Sequence, residues 1–233
     1  GPCAGQAPPL FSLPDGRHCI YVADVSGHGV APAMISSMLK ATASEMIFRY
    51  ADKGPAEICN GLNMVFRRRI DNPAYFATMF MALHDPQTLE WRCMNCGHPN
   101  PIYFRNNEVG DSQLFSRGGG SPIGFPFGPE RPFSRMDEVV FKDDGNTFLL
   151  LYTDGLLEGR HRTTRKECGE CMVRTYEALA RDPAVADKSE QLLARLEAQG
   201  YDMFSDDCTA ISIHMLDPLK IVLEQHVPRN IYL

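Results

Sequence analysis

Strand-length and helix-length runs alternate in groups along this chain, and that grouping limits the architectures open to it. Leu10-Phe-Ser-Leu13 and Arg17-His-Cys-Ile-Tyr-Val-Ala-Asp-Val25 flank the turn signal Pro14-Asp15-Gly16, so a β-hairpin opens the fold. After Ser26-Gly27-His28-Gly29, Pro32 suits a first helical turn, and apolar Met34, Met38, Ala41 and Phe48 predict a helix over 33–50. Gly54-Pro55 breaks it, and a second helix is expected over 56–70, with Arg67-Arg68-Arg69 as a solvated end that complements the helix dipole. Strand patterns occupy 75–84, 88–95 and 102–105; Asp85-Pro86-Gln87 is a turn, and Gly97-His98-Pro99-Asn100-Pro101 forces a bend. Residues 117–132 hold much of the glycine and proline and read as irregular structure or a flap. Strands near 136–141 and 147–152 precede helices near 170–180 and 189–199. Ala210-Ile-Ser-Ile-His214 alternates as a last half-buried strand, ended by Asp217-Pro218 and followed by a tail, 219–233. Adjacent strands separated by paired helices predict an α+β fold built mainly of antiparallel sheet.

The chain has 233 residues, 44% of them hydrophobic, enough for one domain with a substantial core. Gly1-Pro2 reads as the scar of a cleaved tag, residues 3–216 as the domain and 217–233 as an extension. A formal charge of −6 argues against a global electrostatic grip on nucleic acid or an anionic membrane. No apolar run approaches the ~20 residues of a membrane span, and no leader pattern opens the chain, so a soluble, cytoplasmic protein is expected. Eight cysteines then read as reduced thiols, the alternative being a four-thiolate zinc site from Cys93-x-x-Cys96 and Cys168-x-x-Cys171.

Acids recur at strand ends. Asp24 precedes Ser26-Gly27-His28-Gly29, Asp154 follows an apolar strand and precedes Gly155, and Asp206-Asp207 precede the last strand. Each alone reads as a turn or cap residue. Gathered in one pocket, two such charges ~4 Å apart would repel by ~4 kcal/mol at an effective dielectric near 20, a demand that divalent cations meet. Oxygen-only ligation points to Mg²⁺ or Mn²⁺.

Asp24-Val-Ser-Gly-His-Gly-Val-Ala-Pro-Ala33, Asn95-Cys-Gly-His-Pro-Asn-Pro101, Leu151-Tyr-Thr-Asp-Gly-Leu-Leu-Glu158 and Asp206-Asp-Cys-Thr209 stand in an order that resembles the bacterial SpoIIE/RsbU-type branch of the metal-dependent (PPM) serine/threonine phosphatases. Leu13-Pro-Asp-Gly16, Leu62-Asn63, Phe76-Ala-Thr78 and Pro122-Ile-Gly124 agree with it. The resemblance implies a four-layer α-β-β-α sandwich, with two antiparallel sheets flanked by helix pairs. It also implies two Mn²⁺ or Mg²⁺ ions: Asp24 bridging both, the Val25 carbonyl on one, Asp154 and Asp206 on the other, and Asp207 beside them. Water acidified between the ions would attack a phosphoserine or phosphothreonine in line. His28 is the candidate general acid, with Gly27, Gly29, His98 and Gly155 shaping the substrate loops.

By the same resemblance the substrate is a phosphorylated STAS-type anti-sigma-factor antagonist in a bacterial partner-switching pathway. A regulatory domain on the N-terminal side and homodimerisation are also expected. One position departs from the family pattern: Gln6 stands where an acid supporting the second metal is usual. A weakened second site is therefore expected, and a phosphatase-like binding module with little turnover is the competing reading.

Overall fold

A computed structural model of the chain describes residues 10–105, 108–109, 115, 120–143, 147–202, 208–217 and 220–226. In chain order, β1 (Leu10–Ser12), β2 (His18–Val25), α1 (Val30–Tyr50), α2 (Pro55–Arg69), β3 (Ala77–Asp85) and β4 (Glu90–Cys96) come first. Next are β5 (Ile102–Arg105), β6 (Glu108–Val109), β7 (Val139–Lys142), β8 (Thr147–Tyr152) and α3 (Asp154–Glu158). β9 (Arg160–His161), α4 (Gly169–Ala180), α5 (Lys188–Ala198), β10 (Tyr201–Asp202), β11 (Ala210–Asp217) and β12 (Lys220–His226) follow. Contacts gather the chain into two units, residues 9–100 with 113–142, and residues 1–8 with 101–112 and 143–233.

The first unit is a five-stranded sheet in the order β1-β2-β3-β4-β7, antiparallel throughout. Alternation along the strands divides its side chains between two faces. Cys19 and Tyr21, Met79 and Met81, and Met94 and Cys96 share a core with Leu39, Ala43 and Ile47 of α1 and with Ile58, Leu62 and Phe66 of α2. Ile20, Val22, Phe80, Ala82, Trp91 and Cys93 alternate with them and are buried too. Helix α2 starts at Pro55, which needs no N–H partner, and carries Glu57 in its first turn and Arg67, Arg68 and Arg69 in its last.

Its polar residues hold the glycine-rich loop. Asn60 Nδ2 donates to the Phe133 carbonyl at 2.8 Å, and the Phe133 N–H returns a bond to Asn60 Oδ1 at 3.1 Å. Gly124 N–H donates to Asn63 Oδ1 (2.7 Å), Asn63 Nδ2 to the Glu130 carbonyl (2.8 Å), and Arg67 Nη1 to the Gly128 carbonyl (2.6 Å). Positions 60, 63 and 67 recur at helical spacing on one face of α2. The described part of the expected flap is thus strapped down, and Arg67 serves that strap besides ending a helix.

The second unit is a five-stranded sheet in the order β12-β11-β8-β5-β6. Leu150, Tyr152 and Ala210 pack with Met172, Tyr176 and Leu179 of α4 and Leu192, Leu193 and Leu196 of α5. The Tyr176 hydroxyl, inside this core, lies 2.9 Å from Ser212 Oγ and donates to the Leu149 carbonyl at 3.3 Å. A small pair, β9 with β10, completes the unit.

The antiparallel sheets and helix pairs agree with the α+β expectation, and four local expectations change. The supposed tail supplies β12, which pairs antiparallel with β11 from Ala210↔His226 to Asp217↔Lys220. A strand does not begin at Met136, because Ser134 and Asp137 form a reciprocal capping box over the turn Arg135–Asp137. Asp154 opens a five-residue helix, α3. Cys93 and Cys96, three residues apart on β4, project from opposite faces, which denies the zinc alternative a paired bite. Burial also raises both thiols well above the ordinary range. Among the described residues, no helix is long and apolar enough to cross a membrane.

Candidate metal centre

Asp24 lies at the penultimate position of β2, half-buried, and its register partner across the sheet is Thr78 of β3. The two therefore share a face. Thr78 Oγ1 is 2.9 Å from His98 Nδ1, so the buried imidazole is tethered to the cross-strand partner of the acid. Asn95 closes the loop that carries His98. The His98 N–H donates to Asn95 Oδ1 (2.8 Å), and Asn95 Nδ2 donates to the His98 carbonyl (2.9 Å) and to Asn100 Oδ1 (3.0 Å). Gly97 makes this tight knot possible at φ 71°.

Past the buried Val25, the Ser26 N–H donates to the Phe76 carbonyl (2.9 Å), its hydroxyl donates to the Ala74 carbonyl (2.9 Å), and the Phe76 N–H donates to Ser26 Oγ (3.1 Å). Gly27 and Gly29, at φ 89° and 98°, turn the chain into α1. His28 stands exposed between them, with no hydrogen bond to another described residue. His98 is thus hydrogen-bonded into its loop, whereas His28 has no such bond among the described residues.

The second unit positions Asp154. β8 ends at Tyr152, paired with Ala210 of β11. Thr153 caps the turn: its N–H donates to the Thr209 carbonyl at 3.1 Å, and the Thr209 N–H donates to Thr153 Oγ1 at 2.9 Å. Asp154 follows, exposed, with Oδ1 accepting the Gly155 N–H at 3.0 Å and its other oxygen accepting nothing among the described residues. Gly155 is buried under the turn. Asp206, Asp207 and Gln6 lie outside the described residues. Among the described residues, no group of three or more His, Cys, Asp or Glu side chains forms a metal cluster.

Taken unit by unit, the half-buried Asp24 carboxylate and the Val25 carbonyl at the end of β2, and the exposed Asp154 carboxylate at the start of α3, are oxygen donors, the ligand type that hard divalent cations take. Sequence reasoning gave Thr78 no role beyond family resemblance, although a hydroxyl inside the apolar run Ala77-Thr-Met-Phe-Met-Ala82 was the signal available. It also missed the Thr153–Thr209 clasp.

Comparison with known proteins identifies the family and the fold. The family description "Stage II sporulation protein E (SpoIIE)" matches residues 14–216. The phosphoserine phosphatase RsbU of Bacillus subtilis (strain 168) is 24% identical over 143 residues, covering 60% of this chain and 39% of that protein. This chain therefore spans about two fifths of that relative's length. The SiaA-PP2C domain of Pseudomonas aeruginosa superposes with a TM-score of 0.72 at 20% identity, covering 87% of this chain and 77% of that one. The catalytic domain of the serine threonine protein phosphatase PstP in complex with 2 manganese ions gives a TM-score of 0.56 at 13% identity, covering 95% and 92%. The fold is of the PP2C type, and the chain belongs to the SpoIIE family, in its SpoIIE/RsbU-type branch.

Proposed function

We propose that this chain is a protein phosphatase domain that hydrolyses phosphoserine or phosphothreonine with two Mn²⁺ or Mg²⁺ ions held by Asp24, the Val25 carbonyl, Asp154, Asp206 and Asp207. The observation that carries the reading is Asp24: a half-buried acid on an apolar strand, beside the fixed Thr78–His98–Asn95 network, in the motif of a phosphatase family.

The chain's own groups divide the work. Asp24 and Asp154 offer oxygens beside backbone that the Ser26–Phe76 and Thr153–Thr209 hydrogen bonds tie down. When bound, divalent cations supply the Lewis acidity that deprotonates water at neutral pH and offset charge on the phosphoryl oxygens. His28, exposed on the turn after Val25, can hand a proton to the departing serine alkoxide from its imidazole. His98 acts by holding its loop against Thr78. By family resemblance the substrate is a phosphorylated STAS-type anti-sigma-factor antagonist in a cytoplasmic partner-switching pathway, and a regulatory domain and a second copy of the chain are the expected partners. Gln6, neutral where an acid is usual, favours the competing reading of a binding module with little turnover.

Hydrolysis of p-nitrophenyl phosphate tests the reading. Turnover should rise with Mn²⁺, vanish with EDTA, and fall at least about a hundredfold in Asp154→Asn, since even groups that only support a metal ligand cost up to that much. Turnover unaffected by Asp154→Asn overturns the assignment. A flat rate at all Mn²⁺ concentrations, relieved by Gln6→Asp, supports the module reading.

A further inference from the structure

We infer that Cys171 is a peroxide-reactive thiol and that Cys168 resolves it as a disulfide within the first turn of α4. This modification site stands on the second unit alone and does not depend on the phosphatase reading.

Seven cysteines lie in the described chain, and six are buried. Cys171 is the exception. It sits in the first turn of the twelve-residue α4, three residues after Cys168, which caps the same helix at φ −76° and ψ −20°. Those angles are helical, so the pair is separated by about one turn. Residues so spaced have Cβ atoms about 5–6 Å apart, against about 3.5–4.5 Å in a disulfide. The first turn must therefore tighten by about 1.5 Å. The end of a helix permits this, because its first N–H groups carry no intrahelical bonds.

The surroundings separate the two sulfurs by role. Cys171 opens on a groove of about 970 Å³ lined among others by Lys166, Arg174, Arg195 and Tyr201. Its thiol donates to Gln199 Oε1 at 2.7 Å, and Thr175 Oγ1 is 3.9 Å away. Cys171 is partly exposed and lines this groove, which is the route by which a small oxidant would meet its sulfur. Cys168 is fully buried in the α4–α5 core, and burial pushes its thiol up to about 12, with neighbouring Cys171 adding to the rise. It is shielded from solvent and lies three residues from the single described cysteine that is not buried.

The chemistry balances with a peroxide as oxidant. The Cys171 sulfur attacks the O–O bond of hydrogen peroxide, which breaks to release water and leave a sulfenic acid. The Cys168 sulfur then attacks the sulfenyl sulfur, an S–S bond forms, the S–O bond breaks, and the Cys168 proton leaves with hydroxide as a second water. Two thiols lose two electrons, and peroxide gains them. A dithiol reverses the step.

Trypsin isolates the pair, because cleavage after Lys166 and Arg174 yields Glu167-Cys-Gly-Glu-Cys-Met-Val-Arg174 with no other cysteine. On the folded chain, brief alkylation should label Cys171 at least about tenfold ahead of the buried cysteines, which must wait for local opening. After a modest excess of hydrogen peroxide, that peptide should be two hydrogens lighter, resist alkylation, and return to two thiols with dithiothreitol. In Cys168→Ala the sulfenic acid should persist on Cys171 and be captured by dimedone. In Cys171→Ser, a change at a partly exposed site, neither product should form. A peptide that keeps two alkylatable thiols after other cysteines have oxidised overturns the inference, as does a Cys171 that labels no faster than Cys59 or Cys93.

Discussion

Lowering the pH from 7 to 5 should destabilise the fold through His84, an imidazole no function requires. His84 is 1% exposed on β3, its ring 4.5 Å from that of Trp91 and 6.3 Å from that of His18, stacked on both. Neither ring nitrogen finds a partner among the described residues. Burial lowers its pKa to about 4, the charge of His18 adds to the drop, and Asp85 opposes it. The unfolded chain, with an ordinary histidine near 6.5, therefore binds the proton first. Stability is complete above about pH 6.5 and is lost as pH falls toward 4. Linkage between these two values gives a loss of about 2 kcal/mol between pH 7 and pH 5. His84→Phe keeps a flat ring in the slot and removes the titration, so it should match the wild type at pH 7 within about 1.5 kcal/mol. It should then lose about 2 kcal/mol less on acidification, measured by urea unfolding at the two pH values. His214, lowered to about 4 by burial and by Lys188, titrates in both proteins and cancels in the difference. Equal pH dependence in wild type and variant would show that His84 is hydrated or protonated in the native state and would refute the reasoning.

Gly124→Ala should cost about 2–5 kcal/mol, since its Cβ would stand 2.2 Å from Phe66 Cδ1 at φ 83°. Gly16→Ala, at φ 86° with nothing within 4 Å, isolates the backbone share and should cost about 1–2 kcal/mol by the same thermal or urea measurement. Equal losses would mean that the α2 face yields to the loop. Thr78→Val removes the hydroxyl at His98 Nδ1 and keeps the strand shape, so stability should fall by about 1–2 kcal/mol and the His98 ring resonances should move. Unchanged resonances would remove Thr78 from the site.

What sequence showed and what it hid follow from the range of the forces involved. Helices and strands driven by periodicity were legible: α2 at Pro55–Arg69 and β8 at Thr147–Tyr152 fall within a residue of expectation, because apolar spacing and Pro or Gly breaks act locally. Elements owed to pairing partners were not. β12 carries a strand-like run, yet only its ladder with β11 distinguishes an edge strand from a tail. α3 is too short for a period to register, and the turn at 135–137 depends on one Ser134–Asp137 exchange. The site divides similarly. Asp24 and Asp154 were visible as acids ending apolar strands, whereas Thr78, Thr153 and Thr209 matter through cross-strand registers that spacing does not encode.

The two described acids differ in how firmly each is set, and that difference bears on how a cation would organise them. Around Asp24 the Ser26, Asn95 and Thr78 bonds, all made within the chain, fix two loops and a buried imidazole, so little ordering remains for a ligand to impose. Asp154 begins a five-residue helix with an exposed carboxylate, steadied by the Gly155 N–H and the Thr153–Thr209 clasp. Such a helix is too short to be stable by propagation and takes its order from its ends. Under the phosphatase reading, then, Asp24 is the preset ligand, and the Asp154 turn is where metal binding and local order are most strongly coupled. Under that same reading, a neutral Gln6 leaves one fewer acid in the expected set, so metal affinity would depend more on ordering the Asp154 turn.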